Sequence, residues 1–180
     1  MQKSFLYLFL LFSIVSCNNS QDEEIFKKIP VEDSVNKSDE ISVMTANMYF
    51  DEEMYKLAIP YYDSLIIRYP QKGSFYFKRA YCKSKVDHED PSAISDYFKS
   101  IELNYSQKQH AFYNIGNEYH FSGLFRSSTE EEMIVEFDSA IYYYNECLKI
   151  NPNNTYAIKG KEEVTNNLIL IRQGVWPSNK

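Results

Sequence analysis

Glycine is scarce in this chain, at 5 of 180 residues. Phosphate-cradling loops and folds with dense β-turns need more glycine than that. A nucleotide-binding loop is therefore excluded and a helical fold favoured. Histidine is scarcer still. His88, His110 and His120 are the only ones, and none lies three or four residues from another or from a cysteine. No metal-ligand or nucleophile motif follows from that spacing, so no catalytic residue, metal or cofactor is expected. Cationic charge is also short: 19 Lys and Arg stand against 25 Asp and Glu, a net charge of −6. The basic footprint that nucleic acid requires is missing. Long apolar runs are absent as well, the longest being Phe5–Phe12, too short to span about 30 Å of hydrocarbon as a helix. What the chain does hold is apolar and aromatic: 44% hydrophobic residues and 16 tyrosines, enough to fill a core.

Residues 1–16 read as an address. Lys3 precedes the apolar run, and Ile14-Val15-Ser16-Cys17 follows it, the order of parts in a secretory leader. The last four residues resemble a bacterial lipobox, in which an apolar and a small residue precede a cysteine that becomes the lipidated N-terminus. The resemblance implies cleavage before Cys17, acylation of Cys17 and attachment that needs no transmembrane helix. Asn18 differs from the Asp associated with inner-membrane retention, which favours the outer membrane, on its periplasmic or cell-surface side. Ser20-Gln21-Asp22-Glu23-Glu24 resembles a short acidic surface-export signal and reads equally well as a solvated acidic linker. Residues 17–38 are polar and charged without an apolar period. They are expected to form the lipidated cysteine and a tether reaching on the order of 25 Å.

Residues 39–172 carry an internal repeat. The segments LAIPYYDSLIIRYP (57–70), SAISDYFKSIELNY (92–105) and SAIYYYNECLKINP (139–152) share Ala-Ile, an aromatic four positions after the Ala, and a terminator twelve after it. Ahead of the third, Phe112, Ile115, Gly116 and Tyr119 match aromatic-x2-aliphatic-Gly-x2-Tyr. This pattern resembles the tetratricopeptide repeat (TPR), a helix hairpin of about 34 residues. The resemblance implies an all-α TPR solenoid of about three hairpins plus a C-terminal capping helix, with residues 173–180 as a tail. Helices are expected near 40–50, 53–68, 74–86, 91–104, 109–121, 130–150 and 155–172. Ala46, Ala80 and Gly116 would face Ala58, Ala93 and Ala140 at close approach. Asp90-Pro91 and Thr129 with Glu132 read as helix starts. Pro60 interrupts one helix, and Pro70, Tyr105 and Pro152 read as terminators.

TPR arrays bind partners in a concave groove lined by first-helix residues. The matching positions here are Val43, Asn47 and Phe50, then Phe77, Tyr81 and Ser84, then Tyr113, Asn117 and His120. Of these, Asn47, Phe50, Tyr81, Tyr113, Asn117 and His120 are the candidate groove residues, aromatics supplying contact area and amides bonding an extended backbone. Val43 stands where a carboxylate-clamp TPR needs Lys, which argues against that clamp. A twelve-residue insertion, HFSGLFRSSTEE (120–131), separates the helices of the third hairpin. Its Phe121, Leu124, Phe125 and Arg126 either pack on the array or touch a partner. Cys82 and Cys147 read as buried thiols or, in a secreted setting, as a disulfide pair. The expectation is an adaptor anchored to a membrane through its lipid, binding a protein or peptide partner in the cell envelope, with no nucleic acid. The alternative is an accessory ligand-binding protein of glycan or nutrient uptake that uses the insertion.

Overall fold

A computed structural model describes residues 37–87 and 90–175. They belong to one compact unit, Ser34–Lys180. The leader, Cys17, nearly all of the expected tether, His88 and Trp176 lie outside the described residues. Among the described residues there are seven α-helices and no strand. A 3-10 turn, Lys37–Asp39, leads into α1 (Glu40–Asp51), followed by α2 (Tyr55–Arg68), α3 (Gly73–Val86), α4 (Ser92–Glu102), α5 (Lys108–Phe125), α6 (Glu130–Ile150) and α7 (Thr155–Arg172). Consecutive helices pack on one another, and α3 also touches α5, and α5 touches α7. This is a TPR-type α-solenoid of three hairpins with α7 stacked at its end.

The repeat is legible in the packing. Ala46, Ala80, Gly116, Ala58, Ala93 and Ala140 are all buried, and the aromatic four positions after each second-helix Ala, Tyr62, Tyr97 or Tyr144, is fully buried. Small residues bring the helix axes together, and the ring fills the space beside the contact. Tyr62 meets Phe75, Tyr97 meets Phe77 edge-on at 5.6 Å, and Tyr144 meets Tyr113 at 6.1 Å. At the C-terminal end, Ala157, Val164, Leu168 and Ile171 of α7 join Met133, Phe137, Ala140, Tyr144 and Cys147 in one cluster. The apolar face of α6 is thereby covered, as the last hairpin of a stack requires.

Helix starts follow the sequence signals. Thr129 and Glu132 form a reciprocal capping box at α6, whose first turn also carries Glu130 and Glu131, favourable against the positive end of the helix dipole. Asp90 accepts a hydrogen bond from the Ser92 amide at 2.9 Å. Asn154 accepts one from the Ala157 amide at 3.0 Å. Pro60 sits on the exposed side of α2 without ending it.

Two helices end on left-handed residues, one of them in place of an expected terminator. Asn104, not Tyr105, stops α4: it takes φ +54, and the next amide, that of Tyr105, bonds back to Ser100 at 3.0 Å. Tyr105 then buries its ring 5.1 Å from Phe77. Glu53 closes α1 in the same way, with φ +57 and the Met54 amide on the Tyr49 carbonyl at 2.8 Å. Both are Schellman motifs built on a residue with a Cβ, which the left-handed region disfavours. Glu53→Gly is expected to stabilise the fold by about 0.5 kcal/mol, and Asn104→Gly by less because Asn tolerates this region. The midpoint of urea unfolding checks both.

The insertion is mostly helical. α5 runs four residues beyond its expected end, to Phe125, and the connection to α6 shrinks to Arg126–Thr129. Gly123 makes this possible, since a Cβ there would lie 2.4 Å from the Phe137 ring. The bare backbone lets the added turn of α5 lie directly against α6.

Cys82 on α3 and Cys147 on α6 are both free and buried, so no disulfide joins them. Burial pushes the Cys82 thiol up to about 12 and the Cys147 thiol up to about 11. The reactive thiolate is thus nearly absent at neutral pH. Neither thiol is expected to react with a thiol-exchange dye at pH 8 until denaturant is added. Rapid native labelling would contradict this burial.

Candidate functional site

The first helices of the hairpins, α1, α3 and α5, carry a polar ladder. Asn47 on α1 is the meeting point of two donors: the Tyr62 hydroxyl at 3.1 Å and the Lys78 ammonium at 2.7 Å. Lys78 comes from α3, is only 8% exposed and lies 5.1 Å over the Phe50 ring. Burial lowers its pKa, and the amide oxygen and ring compensate the charge locally. On α5, Asn117 repeats the arrangement by accepting the Tyr144 hydroxyl at 2.8 Å. In both asparagines the carbonyl end is engaged by a core tyrosine. The NH2 end is the part such a residue has to offer a ligand.

Phe50 plays another part. It is 4% exposed, enclosed by Tyr55, Tyr62 and Tyr81, with the Tyr81 ring 5.4 Å away. It supports the ladder from below and presents almost no surface of its own. Tyr81 rests on Phe50 and Tyr55 and is half-buried, with Lys85 5.2 Å over its ring. Tyr113 is half-buried between Tyr144 and Tyr156. Val43 and Phe77 are core residues.

Between α3 and α5 lies a cavity of about 260 Å³, lined by Tyr81, Ser84, Lys85, Asn114, Asn117, Glu118, His120, Phe121 and Leu124. Three predicted groove residues, Tyr81, Asn117 and His120, meet here with Phe121 of the insertion. Asn47, Phe50 and Tyr113 lie elsewhere along the same helices. Glu118 is the buried charge of the site, 3% exposed. Its carboxylate accepts the Ser84 hydroxyl, and Arg126 from the insertion approaches its other oxygen at 3.7 Å. Arg126 also covers the Phe121 ring. Phe125 packs on Phe121 with the rings tilted and their centroids 4.6 Å apart, yet remains 64% exposed. His120 packs edge-on against Phe137. Burial lowers its pKa, a nearby Glu163 opposing, so it is neutral at pH 7.

Lys78, Lys85 and Asn114 are the residues that sequence reasoning passed over. One signal was available for Asn114: residues 114, 117, 118 and 121 fall at i, i+3, i+4 and i+7 on one helix face. Among the described residues no group of three or more His, Cys, Asp or Glu is placed to hold a metal ion.

No family model matches this sequence, and no curated protein matches it. Sixteen chains of solved structure do match the fold. One is the first TPR of Spaghetti (RPAP3) bound to the HSP90 peptide SRMEEVD, with a TM-score of 0.58 and 21% identity over 72% of this chain and 91% of that chain. At such identity the likeness concerns the fold: the molecule is a TPR-like helical repeat array.

Proposed function

We propose that this chain is a membrane-anchored TPR adaptor, which binds a peptide segment or helix of another cell-envelope protein along the face formed by α1, α3 and α5. One observation carries the reading. The cavity between α3 and α5 joins aromatic surface, amide donors and a charged side chain on first helices, the combination that recognises an extended segment. The TPR of RPAP3, similar in fold, is bound to a peptide, which supports the same use here. The adaptor reading includes no reaction and no cofactor.

The anchor rests on Lys3, the apolar run and Ile14-Val15-Ser16-Cys17, with Cys17 as the acylated residue and the outer membrane as destination. None of the helices among the described residues is long and apolar enough to cross a membrane. Incorporation of labelled palmitate into the chain, lost in Cys17→Ser, is the expected result.

The partner is sought by affinity purification of the detergent-extracted chain from its own cells, beside a Tyr81→Ala/Tyr113→Ala variant whose folding is checked by circular dichroism. One protein enriched with the parent and lost with the folded variant is the expected outcome. Identical recoveries from both would remove the groove from consideration. The second reading, an accessory glycan or nutrient-binding protein, draws on Phe121 and Leu124 of the insertion lining the cavity. Ligand capture in a glycan screen, lost with Phe121→Ala, would favour it.

A further inference from the structure

We infer that the outward face of α1 is a dimer surface, on which a second copy of this chain lays its own α1 antiparallel across a two-fold axis. The repeat register identifies the face. Ile41, Met44 and Met48 stand five and two residues before, and two residues after, the small residue Ala46. The same offsets from Ala80 give Phe75, Lys78 and Cys82 on α3, and from Gly116 they give Ala111, Asn114 and Glu118 on α5. Those six residues are at most 8% exposed. The hairpin before covers them: Phe75 meets Tyr62, Lys78 meets Asn47, and Glu118 meets Ser84. On α1 the corresponding residues are 74, 71 and 51% exposed. The surface that stacks hairpin on hairpin is therefore open at the start of the array, and it is apolar there. The outer face of a terminal repeat that only meets water is polar. Three large apolar side chains in one stripe on such a face mark an interaction surface instead.

Charge points to a second copy as the occupant. The stripe begins at Lys37 and ends at Glu52, both exposed, with the apolar residues between them. Antiparallel pairing that sets Ile41 of one copy beside Met48 of the other brings each Lys37 toward the opposite Glu52. The face is thus complementary to itself, as a two-fold interface must be. The far end of the array gives the second reason. There the outer side of α7 carries Lys161, Glu162, Thr165 and Asn166. Head-to-tail stacking would bury those polar groups against the apolar stripe at a desolvation cost, so the closed head-to-head pair is the favoured association. A lipid surface suits the face less well, because Glu40, Asp51, Glu52 and Glu53 are exposed on and beside α1 and would meet anionic headgroups. This pairing goes beyond the adaptor reading and does not depend on it.

The test expresses the full chain in its own cells with one added cysteine and applies a short bis-maleimide. The parent chain, whose Cys82 and Cys147 are buried, is the control. Met44→Cys is expected to give a cross-linked homodimer, identified by its mass, in several-fold greater yield than Asn166→Cys, an exposed position at the other end of the array. Differently tagged Ile41→Cys and Met48→Cys chains, produced together, should link to each other more than either links to itself. Lys37→Glu should reduce the Met44→Cys product several-fold, and adding Glu52→Lys should restore it. Such rescue reports contact between copies, since within one chain Lys37 and Glu52 stand at opposite ends of α1. All substitutions are at exposed positions, and circular dichroism of the purified variants checks the fold. Equal yields from Met44→Cys and Asn166→Cys, capture of a different protein at Met44→Cys in place of the homodimer, or failure of the charge exchange to restore the product would each overturn the pairing. None of these outcomes bears on the groove, which keeps its own co-purification test.

Discussion

Tyr144→Ala is expected to cost about 3–5 kcal/mol, the range for emptying a large, fully buried aromatic site, and to lower the thermal midpoint by on the order of 10 °C. The reason is the way the ring is held. A Cβ added at Gly116 would come within 2.7 Å of the Tyr144 ring, and one at Gly160 would come equally close. Tyr144 is thus sandwiched between α5 and α7 while belonging to α6, and it ties the last three helices together. Its hydroxyl contributes less. Tyr144→Phe keeps the ring and loses the bond to Asn117, a cost of about 1 kcal/mol. Gly116→Ala should also destabilise, because overpacking costs about 1–3 kcal/mol against about 1 kcal/mol gained in helix propensity. Urea unfolding of the four proteins orders them. A Tyr144→Ala chain as stable as Tyr144→Phe would show that the ring is not the keystone of the third hairpin.

That keystone was legible in the sequence, and the reason is physical. Close helix packing demands a small residue at fixed positions, and the space beside it demands a large one. The pairing of Ala58, Ala93 and Ala140 with Tyr62, Tyr97 and Tyr144 is therefore written at a constant spacing of four residues. Helix limits were legible where a cap or a proline marks them, as at Thr129 and Pro152. They were less so where a left-handed residue ends the helix, since Glu53 carries no compositional signature of that conformation and Asn104, which tolerates it, stands directly before the aromatic read as the terminator. The site was harder to read. Register alone put Phe50 on the groove, but the tight turn at Glu53 brings Tyr55 across it, and Tyr62 and Tyr81 complete the enclosure. Lys78 and Lys85 stand among other polar residues of α3, such as Arg79 and Lys83, and Asn114 stands near Asn117 and Glu118 on α5, so polarity alone does not single them out. Their role comes from what stands opposite on the neighbouring helix, which periodicity does not encode. The insertion, a gap in the repeat when read along the chain, becomes in large part an added turn of α5 because one glycine permits it.

The Gly123–Phe137 contact links that extension to the site. Phe137→Ala removes a fully buried ring from beneath the last turns of α5, with an expected loss of about 3–5 kcal/mol. In a stacked array, each hairpin depends on its neighbours, so the loss should fall unevenly. The turn carrying Phe121, Leu124 and Phe125 is held to α6 through Gly123, and His120 leans on the same ring at 5.9 Å. Hydrogen exchange is therefore expected to accelerate in residues 120–132 more than in α1 and α2, at the far end of the array. Binding should fail with it. Arg126 would lose the fixed position from which it balances Glu118, and the cavity would lose its apolar wall. A variant that stays folded at low temperature, exchanges quickly only in 120–132 and no longer retains the partner would show that the inserted turns serve the groove. Retention of the partner by such a variant would instead confine the insertion to stability, and leave binding to the ladder formed by Asn47, Lys78 and Tyr81.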